Sequence, residues 1–66
     1  MILQITELPD KSIEIYELSE EGGSQIVCNT DGTIELWLIP LYGGEPQFID
    51  YCKSIPEALK LGRSYN

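Results

Sequence analysis

Apolar and polar residues alternate through five stretches of the chain, about 2–8, 12–18, 24–29, 33–39 and 46–52, each rich in β-branched and aromatic side chains. A period of two marks a strand with one face against a core. Turn chemistry separates the stretches. Pro9-Asp10 pairs a fixed φ with a side chain that bonds its own backbone. Glu20-Glu21-Gly22-Gly23 is polar, and its glycines permit positive φ. Asn29-Thr30-Asp31-Gly32 is a hairpin signal, and Tyr42-Gly43-Gly44-Glu45 reads as another turn. Connections this short favour antiparallel neighbours, so the pattern predicts an α+β fold: a five-stranded antiparallel β-meander with one short C-terminal helix packed on one face.

The alternation also predicts faces. Leu3 and Ile5, Ile13 and Ile15, Ile26 and Cys28, and Ile34, Leu36 and Leu38 read as the core side. In the fifth stretch the isolated charge of Asp50 favours Ile49 and Tyr51 as core, with Phe48 turned away. The period then changes. Ser54-Ile55-Pro56-Glu57 fits a capping box with proline in the first turn. Ile55, Ala58, Leu59 and Gly62 form one stripe at helical spacing, so a helix is predicted over about 55–63. Lys60 and Arg63 suit its C-terminal end, and the tail Ser64-Tyr65-Asn66 is expected to fray. A helix this short is marginal alone and must pack on the sheet. The small Ala58 and Gly62 allow close approach.

Sixty-six residues make one domain, 1–66, with no repeat or linker and a core barely large enough for independent folding. Domains of this size often recruit a disulfide, a metal or a second copy, so a homodimer is one expectation. Nothing resembles a secretory leader or a membrane span, which makes a cytoplasmic protein the expectation. Cys28 and Cys52 are then expected as reduced, small core residues rather than a bridge.

Charge changes the picture. The net charge is −7, and residues 7–35 hold Glu7, Asp10, Glu14, Glu17, Glu20, Glu21, Asp31 and Glu35 against Lys11 alone. The second half balances Glu45, Asp50 and Glu57 with Lys53, Lys60 and Arg63. Such a field repels phosphate backbones and anionic lipid and attracts basic partners. Nucleic acid and membranes are therefore not the expected partners.

Catalytic chemistry finds little support. Without histidine there is no Ser-His or Cys-His pair, and two thiols fall short of a zinc site. Cys52, beside Lys53 and the helix start, is the one thiol with a route to activation, though a tucked strand-end residue is the simpler reading. Glu14 and Glu35 share one side of the sheet, but a single thin sheet leaves little room for a closed pocket, so they read as surface carboxylates. Asp31-Gly32 lacks the alternating ligands of a calcium loop. Neither Gly-Gly pair opens a helix, so neither is a phosphate loop. No enzyme activity, metal or cofactor is expected.

The remaining feature is the face a single helix leaves bare. It would show Glu14, Tyr16 and Leu18, then Val27, then Glu35, Trp37 and Ile39. An aromatic centre ringed by acids suits a partner bearing Lys or Arg. The expected function is a small acidic, non-catalytic protein-binding or regulatory module that uses Glu14, Tyr16, Glu35, Trp37 and Ile39 to contact a basic partner. A nucleic-acid mimic occupying a basic groove is a special case, and exposed sheet edges offer a second route for a peptide or another subunit.

The second half, strand, Gly43-Gly44 turn, strand, then Ser54-Ile55-Pro56-Glu57-Ala58-Leu59, is similar to the arm-type DNA-binding modules of phage integrases. It also resembles the strand-then-helix segment of HicB-type antitoxins. The resemblance covers about half the chain and rests on a capping box that many helices share. It implies an alternative, a nucleic-acid-binding hairpin-helix module relying on Lys53, Lys60 and Arg63. The arm modules present Lys and Arg from the sheet, where this chain has Trp37, Ile39, Gln47 and Ile49. No functional residue is carried over.

Overall fold

A computed structural model describes residues 2–20, 22–40 and 43–65. The strands are β1 (Ile2–Glu7), β2 (Ile13–Ser19), β3 (Gly22–Cys28), β4 (Ile34–Ile39) and β5 (Gln47–Cys52), followed by helix α1 (Ile55–Ser64). They form one antiparallel sheet in the order β1-β2-β3-β4-β5, the predicted meander. β3 starts earlier than the alternation suggested, because Gly22 and Gly23 pair with Ser19 and Leu18 instead of standing in a loop. Of the expected turn residues, Glu21 and Tyr42 lie outside the described residues, as does Asn66 of the tail.

Two hairpins share one turn design. Asp10 Oδ1 accepts from the Ser12 N–H (3.0 Å) and hydroxyl (2.6 Å), and Asp31 Oδ1 does the same for Thr33 (2.9 and 2.7 Å). The residue between takes positive φ: Lys11 at 72° and Gly32 at 93°. Lysine holds that conformation at a cost of about 1–2 kcal/mol, offset by the bonds around it.

The core lies between the sheet and α1. Ile15, Ile26 and Leu36 form one cross-strand row, roofed by Ala58, and these four are its buried apolar residues. Cys28, Ile34, Ile49, Cys52, Leu59 and Leu61 pack around them, half-buried. The helix begins as predicted. The Ser54 hydroxyl accepts from the Glu57 N–H at 3.2 Å, while the Glu57 carboxylate accepts from the Lys53 N–H at 2.6 Å. Gly62 sits where a Cβ would come within 2.7 Å of Ser24 Oγ and 3.0 Å of Ser24 Cβ, so only glycine lets the helix seat on β3. Ser24 is buried there, and its hydroxyl has no hydrogen-bond partner among the described residues.

Two expectations about the faces are corrected. Leu3 and Ile5 were expected in the core but are 57% and 65% exposed, and Ile13 is also exposed. Their register is right: Ile5 pairs with Ile15 and shares the helix side. However, α1 lies over β3, β4 and β5, and leaves β1 and the Ile13 end of β2 uncovered on that face. The second correction concerns β5. Leu36 pairs with Asp50 and Trp37 with Phe48, so Ile49 is the extra residue of a β-bulge. Ile49 and Cys52 turn to the core, while Tyr51 joins Phe48 on the opposite face. Simple alternation placed Tyr51 inside because it assumed an unbroken period of two.

Glu17 and Arg63 tie the helix C-terminal end to β2 in a two-pronged ion pair, 2.9 Å at each prong. Glu17 is almost buried and Arg63 more than half exposed. The Arg63 hydrogen bonds hold the Glu17 carboxyl below its ordinary value near 4.5, against the opposing pull of burial.

Two predictions follow from this packing. Gly62→Ala gains about 1 kcal/mol of helix propensity but overpacks the seat by about 1–3 kcal/mol. Urea unfolding should therefore show a net loss, and Ser24→Ala in the same chain should recover part of it; additive effects would contradict direct contact. For Glu17, a depressed native pKa means that the unfolded chain takes up the proton more readily. The stabilisation is full above the unfolded carboxyl value and fades as pH falls through the lower native one. Glu17→Gln should lower the urea midpoint at neutral pH, and the difference from wild type should close progressively below about pH 4.

Candidate functional site

The face opposite α1 is built in cross-strand rows. One row runs Thr6, Glu14, Val27, Glu35, Tyr51; the next runs Gln4, Tyr16, Gln25, Trp37, Phe48; a third runs Ile2, Leu18, Gly23, Ile39. The five expected residues Glu14, Tyr16, Glu35, Trp37 and Ile39 therefore share this face, all half-buried. None of the strand positions in these rows carries Lys or Arg.

Neutral donors, not cations, hold the two carboxylates. Gln25 Nε2 donates to Glu14 Oε2 and, at 3.2 Å, to the Tyr16 hydroxyl, which itself donates to Glu14 at 3.2 Å. Burial, with the Glu14 charge behind it, pushes the Tyr16 phenol up, so it stays a neutral donor. Across the sheet, Trp37 Nε1 donates to Glu35 Oε1 at 3.1 Å, and Asn29 Nδ2 donates to Glu35 Oε2. These bonds orient both carboxylates and leave their charge uncompensated. Val27 stands between Glu14 and Glu35, which places the carboxylate-bearing backbones two strands, about 10 Å, apart.

The bulge in β5 enlarges the aromatic part of the face. The Trp37 and Phe48 rings meet edge to face at 5.4 Å, and Phe48 meets Tyr51 the same way at 5.1 Å. Phe48 and Tyr51 were missed as site residues. Alternation already turned Phe48 to this face beside Trp37, whereas Tyr51 needed a signal for the bulge, and the isolated Asp50 pointed the other way. Beside Trp37 lies an open groove of about 530 Å³ lined by Gln25, Val27, Glu35, Trp37, Glu45 and Pro46. Its lining combines the Trp37 and Val27 side chains with two acidic residues, Glu35 and Glu45.

The other candidate chemistries are not assembled. Cys28 and Cys52 are free and flank Ile34 on the helix side, two strands apart. That spacing of about 10 Å exceeds the reach of a disulfide. Burial pushes both thiols up, and at Cys52 the Glu57 and Asp50 charges add to it, so the nearby helix start does not produce a thiolate. Among the described residues no group of three or more His, Cys, Asp or Glu converges on a metal-sized site. No described helix is long and apolar enough to cross a membrane.

No protein-family model matches the chain, and no curated protein or solved structure is significantly similar to it.

If Phe48 shields the Trp37 edge, Phe48→Ala should increase acrylamide quenching of Trp37 and cost about 1 kcal/mol of stability. Unchanged quenching would mean that other residues provide the shielding.

Proposed function

We propose that this chain is a small acidic, non-catalytic protein-binding or regulatory module that meets a basic partner through the sheet face opposite α1. The reading rests on one observation: Trp37, Glu35 and Glu45 line one open groove, beside strands that offer no cation on this face. A guanidinium or ammonium group entering the groove gains an aromatic face and two carboxylates together. Phe48 and Tyr51 extend the apolar contact beyond it. Fixed carboxylate positions lower the cost of ordering the site on binding.

The alternative of nucleic-acid binding has weaker support. Of its three cations, Arg63 is already engaged by Glu17. The aromatic face that would stack on bases is the one carrying Glu14 and Glu35.

An arginine-rich peptide tests the proposal without a known partner. Titration should move the Trp37 indole resonance, and affinity should fall as salt rises. Trp37→Ala, which changes no charge, should weaken binding roughly 3- to 30-fold. Glu35→Lys combined with Glu14→Lys should remove it. Wild-type affinity in both variants would rule out this face as the docking site.

A further inference from the structure

The two edges of the sheet differ. β5 carries devices that discourage pairing: a bulge at Ile49 and the exposed charge of Asp50. β1 carries none. It is a regular six-residue strand, Ile-Leu-Gln-Ile-Thr-Glu, with no proline, lysine or bulge, and its one charge, Glu7, sits at its end. Among the described residues its only strand neighbour is β2. Its apolar side chains are also the most exposed of the sheet's aliphatic residues: Ile2 63%, Leu3 57% and Ile5 65%. On the helix side, Leu3 and Ile5 continue, with Ile13, into the strip that α1 leaves uncovered.

We propose that β1 is a self-association edge, where a second copy of this chain pairs antiparallel across a two-fold axis to form a continuous ten-stranded sheet. The occupant is argued from charge and register. A chain of net charge −7 repels its own copies, and β1 is the outer edge where they can approach with no charge inside the paired segment. A basic partner would find no carboxylate there except Glu7. The strand is also self-complementary when centred on Gln4. Leu3 then faces the partner's Ile5, Ile5 faces the partner's Leu3, and Gln4 faces the partner's Gln4 with amides able to bond reciprocally. Ile2 and Thr6 pair on the opposite face, and Glu7 falls beyond the paired segment, away from its own image. This register joins the uncovered apolar strips of two copies into one floor between two helices. The exposed surface agrees with a second copy covering this edge. It exposes 4650 Å², above the about 4,200 Å² expected for a compact monomer of 66 residues, and its buried apolar core comprises four residues among those described.

This inference stands apart from the basic-partner reading, and salt separates them. Self-association opposes like charge, so it should strengthen as salt rises, whereas capture of a basic peptide should weaken. Sedimentation equilibrium of the intact chain over micromolar to millimolar concentration should show a monomer–dimer equilibrium. Ile5→Lys, at an exposed position, should weaken it on the order of 100-fold, because the substitution enters a two-fold interface twice. Trp37→Ala should leave it unchanged. Gln4→Cys should cross-link into a disulfide dimer under mild oxidation, and Thr6→Cys should not, since only position 4 meets its own image. The Gln4→Cys comparison retains its force even if Ile5→Lys fails to fold. A monomer across the whole range overturns the proposal, even if an extended peptide then adds to β1. So does a dimer that Ile5→Lys leaves intact, one that Trp37→Ala dissociates, or one that cross-links at Thr6→Cys in preference to Gln4→Cys.

Discussion

A helix is about 10 Å wide with its side chains, and five strands side by side span about 20 Å. That mismatch organises the rest of the molecule. One helix of ten residues cannot roof this sheet, so the chain must choose which strands to cover. It covers β3, β4 and β5, and the choice is anchored at the seat of Gly62 on Ser24. The Arg63–Glu17 pair reaches one strand further, and its charge-assisted bonds fasten the helix end without adding apolar burial. Beyond that reach Leu3 and Ile5 stand exposed on the helix side, and no described helix covers the opposite face, whose central side chains are half-buried by one another.

The two uncovered surfaces differ in chemistry because they differ in sequence. The opposite face mixes aromatic rings with carboxylates whose geometry is set by neutral donors. That arrangement keeps negative charge in place without a competing cation, which suits recognition of a basic group. The β1 strip, Leu3 and Ile5 with Ile13, is aliphatic and exposed, which suits contact with another apolar surface. The first would weaken in salt and the second would strengthen, so the two can operate side by side on one small chain.

The bulge at Ile49 connects core and surface. By adding one residue to β5, it allows Ile49 and Cys52 to face the helix while Phe48 and Tyr51 both face away. It thereby builds the Trp37–Phe48–Tyr51 cluster and blunts the β5 edge at the same place. A single irregularity serves the core, the aromatic face and the protection of one edge, and leaves β1 as the unguarded one.

Much of the fold was legible in the chain itself. Period-two alternation and turn residues located five strands and their antiparallel order, because these signals act within a few residues. The capping box at Ser54 and the Ala58/Gly62 stripe located the helix for the same reason. The shared face of Glu14, Tyr16, Glu35, Trp37 and Ile39 also follows from alternation once the meander is accepted. The tertiary structure decided where the helix came to rest. Alternation assigns a side chain to a face but says nothing about whether that face is covered, so Leu3 and Ile5 were read as core and stand exposed. It also decided the bulge, which depends on how β4 and β5 pack together and carries no local signature; Tyr51 changed sides because of it. Local patterns in sequence therefore determined the elements and their order, while packing across the sheet determined which apolar residues were buried and which were left exposed.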